Sequence, residues 1–159
     1  MGAARPELPS EAQRHMYKHT QVGHRAIGIL LGTGALTAGL LVARTGPVLV
    51  LGIVLVALLT AAFLFGSLTT EVDAQRFTFW FGPGVMRRSF ALSQILSCTP
   101  VTSPWWYGSG IHWTPDGWLY NVASGGAVQL TLGDGRRLLV GTDEPEELCR
   151  LIGSGKGAA

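Results

Sequence analysis

Two long uncharged runs interrupt a chain that is otherwise polar or alternating. Residues 26–43, AIGILLGTGALTAGLLVA, carry no charge, and after the four-residue connector RTGP a second uncharged run covers residues 48–66. Each is long enough to cross about 30 Å of hydrocarbon as a helix rising about 1.5 Å per residue. A connector of four residues, 44–47, makes them an antiparallel hairpin. A cleaved signal peptide is the competing reading of the first run, but the leading tail is long and no A-x-A site follows.

After Gly66 the pattern switches to period two. LTTEVD reads as a strand, and RFTFWFG places Phe77, Phe79 and Phe81 on one face with Thr78 and Trp80 on the other. The turn Gly82-Pro83-Gly84 separates this from VMRRSFAL, and QILSCTPV follows as a further strand. AVQLTL and RRLLVGT flank Gly133-Asp134-Gly135, a hairpin turn whose residues accept positive φ. TDEPEELCRLI closes the pattern as a helix over residues 143–153, with Asp143 as cap, Glu146 reaching back, Pro145 in the first turn, and Leu148, Leu151 and Ile152 as its buried stripe.

The division expected is a polar basic tail at 1–25, a transmembrane hairpin at 26–43 and 48–66, a β domain at 67–153, and a disordered tail at 154–159. In the leading tail, EAQRHMYKHTQVGHR reads as a juxtamembrane helix facing headgroups, with His15 and His19 at i and i+4. Two histidines without a third ligand make no metal site. Gly28, Gly32, Ala35 and Gly39 share one face of the first membrane helix, where small residues allow close packing. The expected partner of that face is the second helix, with a second copy of the chain, a homo-oligomer, as the alternative.

Composition sharpens this picture. With 47% hydrophobic and 14% charged residues, the chain is too apolar for an ordinary soluble domain. A net charge of +2 supplies no dense basic surface, so nucleic acid is not an expected partner. Arg5, Arg14, Lys18 and Arg25 lie in the tail, one arginine in the connector, and Arg76, Arg87 and Arg88 soon after the second helix. By the bias of basic residues toward the cytoplasm, both termini of this multi-pass protein are expected there. Cys98 and Cys149 match neither zinc nor redox spacing, and are expected as free thiols in a reducing compartment.

Seven or eight short antiparallel strands followed by one amphipathic helix resemble the pleckstrin-homology (PH) roll, in which a terminal helix plugs the open corner of a bent sheet. FGPG at 81–84, PWWYGSGI at 104–111, TPDGWLYNV at 114–122 and DGRRLLVGTDEPEEL at 134–148 also resemble small bacterial two-helix membrane proteins with a PH-like domain of unassigned function. The resemblance implies an α+β membrane protein: a helix hairpin, then a PH-like antiparallel β roll capped by a helix. It supplies no catalytic residue and no cofactor. It also lacks the basic loop that phosphoinositide-binding PH domains place between their first two strands, since that loop here reads DAQ at 73–75.

Candidate chemistry is thin. Cys98, His112 and Asp116 form an imaginable nucleophile set, but Asp116 belongs to a turn and no nucleotide, hydrolase or metalloprotease motif is present. The expected function is non-catalytic: a membrane-tethered scaffold or adaptor that binds a protein partner or lipid headgroups, or else an accessory subunit of a membrane enzyme or transporter. Four of the five tryptophans fall in 104–122. TPDG reads as a three-residue hairpin loop pairing Thr114 with Trp118, which sends Ile111, Trp113 and Leu119 to the core and His112, Thr114, Trp118 and Tyr120 outward. Core packing is expected for at least one of Trp105 and Trp106. The candidate lipid or partner contacts are Trp105, Trp106, Tyr107, Trp118, Tyr120, Arg87 and Arg88.

Overall fold

The computed structural model describes residues 15–44 and 46–156. The basic residues Arg5 and Arg14, and the end of the expected disordered tail at 157–159, lie outside them. Among the described residues the order is β1 (His15–Val22), α1 (His24–Val42), α2 (Val48–Phe65), β2 (Ser67–Asp73), β3 (Arg76–Phe81), β4 (Val85–Ala91), β5 (Ile95–Ser103), β6 (Gly110–Thr114), β7 (Gly117–Asn121), β8 (Gly125–Leu132), β9 (Arg137–Gly141) and α3 (Pro145–Lys156). Short 3-10 turns at Leu92–Gln94 and Trp105–Tyr107 complete it. Both α1 and α2 are long and apolar enough to span a membrane, and few of their residues are buried within the protein.

Where it is described, from His15 to Val22, the leading tail is a strand and not the expected juxtamembrane helix, whose first residues, 11–14, lie outside the described residues. HMYKHTQV forms β1 and pairs antiparallel with β2, from Tyr17 opposite Val72 to Val22 opposite Ser67. The strand needs a partner that arrives only after the hairpin, which is why local pattern did not reveal it. His15 and His19 therefore lie along a strand, and the first two strands are joined by the whole 23–66 hairpin rather than by 73–75. Gly23 N–H donates to the Gly66 carbonyl at 2.9 Å, stitching the chain together where it enters and leaves the helices.

Two sheets enclose the core, one ordered β1-β2-β3-β4 and the other β5-β8-β9-β7-β6, with no closed barrel among the described residues. Phe77, Phe79 and Phe81 are fully buried on the inner face of the first sheet, as their alternation requires. Tyr120, Val128, Leu130 and Val140 meet them from the second sheet, and Leu148 and Ile152 of α3 close the cluster. The expected all-antiparallel pattern fails at one place. Because β9 returns from β8 and slots between β8 and β7, it runs parallel to β7.

The helix α3 starts at Pro145 and continues through the glycine-rich end to Lys156, so 154–156 are helical rather than a loose tail. Thr142 Oγ1 accepts the Glu144 N–H at 3.2 Å, and Asp143 turns away to His19 instead of capping Glu146. Cys98 on β5 and Cys149 on α3 are joined as a disulfide. That overturns the expectation of free thiols: the two positions are 51 residues apart in sequence, but the helix packs directly on the strand.

On α1, Gly34 and Thr37 are the buried positions, and the nearest atom to a methyl placed on Gly34 is Leu55 Cδ1 of α2 at 3.6 Å. Methyls placed on Gly28, Gly32 and Gly39 would meet nothing within 4 Å, and Ala35 is exposed. The small face therefore points away from α2, contrary to the expected intramolecular packing, because the two helices meet along the Gly34 and Thr37 side.

Candidate functional site

The sheet order dictates where the aromatic stretch must go. Strands β5 and β6 lie at opposite edges of the five-stranded sheet, so residues 104–109 have to cross its end. Pro104 opens the crossing in an extended conformation, and one 3-10 turn follows, with Tyr107 N–H donating to the Pro104 carbonyl at 3.1 Å. Ser109 Oγ then donates to the Val122 carbonyl at 3.1 Å and pins the far end. Gly23, the residue before α1, sits so close to Val122 that a Cβ there would meet its carbonyl oxygen at 2.5 Å. The crossing thus runs over the end of the sheet that adjoins the helices.

Neither Trp105 nor Trp106 is core. They are 75% and 68% exposed, with their rings edge to face at 6.0 Å, and Tyr107 is half-buried. A segment that bridges a sheet end in six residues has no further layer above it to cover its rings. Trp105 instead walls a cavity of about 540 Å³ together with Arg25, Ile29 and Leu30 from the first two turns of α1.

Trp118, Tyr120 and Arg88 belong to a second place. The β6–β7 hairpin turns on Pro115 and Asp116, so Trp113 pairs with Trp118 and Ile111 with Tyr120. This corrects the expected register by one residue, and a one-residue slip exchanges faces. Trp113, expected in the core, is 69% exposed; Tyr120, expected outside, is 7% exposed with its ring 4.9 Å from that of Phe79. Leu119 is buried as expected, but on the face opposite Tyr120, beside its β9 partner Leu139.

Between this hairpin and β4 runs a trough of about 470 Å³ lined by Phe90, Ile111, Tyr120 and Leu138, with Trp118, Arg88 and Arg136 among its walls. A bulge in β4 shapes it. Phe79 pairs with Arg88 and Phe81 with Val85, so Met86 and Arg87 together oppose Trp80, and Met86 takes a positive φ of 52°. Bulges re-aim side chains at sheet edges. Here Arg87 swings outward to 4.7 Å above the Trp80 ring, which Lys18 approaches at 5.4 Å, while Arg88 turns into the trough. Arg87 is accordingly committed to an aromatic face, an interaction of about 0.5–1 kcal/mol where exposed. Lys18, Trp80 and Met86 were not contact candidates in the sequence, because only the bulge and the β1–β2 pairing assemble them, and Arg136 was considered there only with Arg137, as a basic couple able to meet lipid phosphate.

A polar clasp closes the domain on another side. Tyr17 donates its hydroxyl to Glu144 Oε2 at 2.8 Å, and His19 Nε2 contacts Asp143 Oδ1, with Nδ1 3.6 Å from Glu144. Burial, and then the Glu144 carboxylate, push the Tyr17 phenol well above its ordinary value. Elsewhere Asp134 is held below the usual carboxylate range by the Arg136 N–H and guanidinium it accepts.

The imagined nucleophile set is not a site: Cys98 is bonded to Cys149, and Asp116 is an exposed turn residue. No protein-family model and no curated protein matches this sequence.

Proposed function

We propose that this chain is a membrane-tethered, non-catalytic PH-like module, with α1 and α2 crossing the bilayer and the β domain held at its surface as a scaffold or adaptor. Among the described residues there are nine strands where seven or eight were expected, and α3 packed across β5 and β8 is what supports the PH resemblance. The observation that carries the reading is the position of Trp105, exposed and beside Arg25 in the first turn of α1. Tryptophan rings and arginine side chains favour the headgroup zone, where a ring is half apolar and a guanidinium meets lipid phosphate. Trp113 and Trp118 lie on the same domain but farther off. Trp118 lies four steps along the chain from Val122, roughly 13 Å at about 3.3 Å per residue, so protein rather than lipid suits them.

Depth-dependent quenching by brominated lipids tests this in reconstituted vesicles. Trp105→Phe with Trp106→Phe should remove most of the quenching, whereas Trp113→Phe with Trp118→Phe should leave it. Quenching that survives the first pair and vanishes with the second refutes the interfacial assignment.

Because β1 and β2 flank the hairpin and pair with each other, both ends of the described chain share one side of any bilayer the hairpin crosses. The count of basic residues favours the cytoplasmic side. The Cys98–Cys149 disulfide favours the opposite, oxidising side, and is the one observation behind that second reading.

A further inference from the structure

We propose that the trough between β4 and the β6–β7 hairpin receives an extended, acidic segment of a protein partner as an added strand. The inference deepens the adaptor reading and rests on its protein-binding half, not on lipid contact.

Both walls are sheet edges. Among the described residues β4 pairs only with β3, and β6 only with β7. Edge strands present a row of unpaired N–H and C=O groups, which another extended chain can satisfy. Natural edges are commonly blunted by a covering helix or loop, yet α3 packs on β5, β8 and the Leu92–Gln94 turn, away from this seam. The trough is thus bounded by backbone able to hydrogen-bond and floored by Phe90, Ile111, Tyr120 and Leu138. Alternate side chains of an added strand would point down to that floor and out to solvent.

Charge selects the occupant. Arg88 and Arg136 are the charged residues of the trough lining, and among the described residues no acidic side chain lines it. Arg136 already holds Asp134 at 2.6 Å, whereas Arg88 makes no ion pair among the described residues. A carboxylate on the incoming strand would gain a charge-assisted bond to Arg88. Trp118, 48% exposed, and its cross-strand neighbour Trp113 stand at the rim, and aromatic residues of this kind are enriched where proteins meet. The two unpaired edges, along which a chain can hydrogen-bond repeatedly and a headgroup cannot, argue for a protein segment over a headgroup.

The test uses the full chain in lipid nanodiscs and a fluorescein-labelled peptide of alternating valine and glutamate. Three controls accompany it: the valine and lysine analogue, the acidic peptide N-methylated at alternate backbone nitrogens, and soluble glycerophosphate as competitor. The acidic peptide is expected to bind and to quench Trp118 fluorescence, with the lysine and N-methylated peptides at least tenfold weaker. Arg88→Gln should weaken binding about tenfold and Arg88→Glu further, with unchanged thermal midpoints because Arg88 is exposed. Equal binding of the N-methylated peptide overturns the added strand. Indifference to Arg88→Gln, or displacement by glycerophosphate, overturns the acidic segment in favour of apolar or headgroup binding. Absence of peptide binding beside intact brominated-lipid quenching sinks this inference alone, since Trp105→Phe with Trp106→Phe probes the membrane reading separately.

Discussion

Gly117 carries the register of the β6–β7 hairpin on one backbone conformation. Its φ is +118°, and a Cβ there would stand 2.1 Å from the Arg137 carbonyl oxygen. Gly117→Ala therefore meets both a disfavoured dihedral and a backbone collision on the parallel neighbour β9. A loss of about 2 kcal/mol or more is expected, read as a lower denaturation midpoint, while Asp116→Ala in the exposed turn should cost far less. The TPDG motif announced a turn, but whether it held two residues or three depended on where β9 sat. Tyr17 sets a second residue-scale expectation. Its folded-state phenol ionises later than the unfolded one, whose ordinary value is 10.0. Its contribution is therefore complete below pH 10 and is lost as pH rises above that toward the folded value. Stability measured between pH 9 and 11.5 should fall less steeply in Tyr17→Phe than in the parent chain.

At the scale of elements, α3 is held to β5 by a covalent link as well as by Leu148 and Ile152. Closing a loop with a sequence separation of 51 residues stabilises by about 4 kcal/mol in the chain-entropy picture. Reductant should lower the thermal midpoint of the parent protein, and Cys98→Ser with Cys149→Ser should show the lowered midpoint with no response to reductant. Equal midpoints with and without reductant in the parent would contradict the bond's contribution. Strands β2 to β5, the β8–β9 hairpin and α3 were legible because their signals are local: alternation, glycine turns and a helical stripe. Strand β1 was not. Its residues Tyr17, His19 and Gln21 alternate inward, but only β2, more than forty residues on, makes that alternation a strand.

For the whole molecule, the pair of apolar helices is an insertion into the β domain. The chain begins the four-stranded sheet, leaves through Gly23 to form α1 and α2, and returns at Gly66 to finish it. On the proposed reading that α1 and α2 cross a bilayer, the face that carries the domain is open to a direct measurement. In intact cells, a membrane-impermeant maleimide applied after reduction with a membrane-impermeant phosphine should leave Cys98 and Cys149 unlabelled if the domain is cytoplasmic. Labelling that requires prior reduction assigns it to the oxidising side.

The seven contact candidates came from composition, from runs of aromatic and basic residues, and the fold distributes them among unlike environments. Trp105, Trp106 and Tyr107 lie at the hairpin end, Trp118 and Arg88 at the trough, Arg87 above Trp80, and Tyr120 in the core. Sequence alone determined what depends on neighbours within a few residues: two apolar helices, most of the strands, the closing helix and its buried stripe. Tertiary structure decided what depends on distant partners: the pairing of β1 across the hairpin, the parallel β7–β9 contact, the hairpin register, and the disulfide. Local periodicity specifies which side of an element is apolar, but only packing specifies what that side meets.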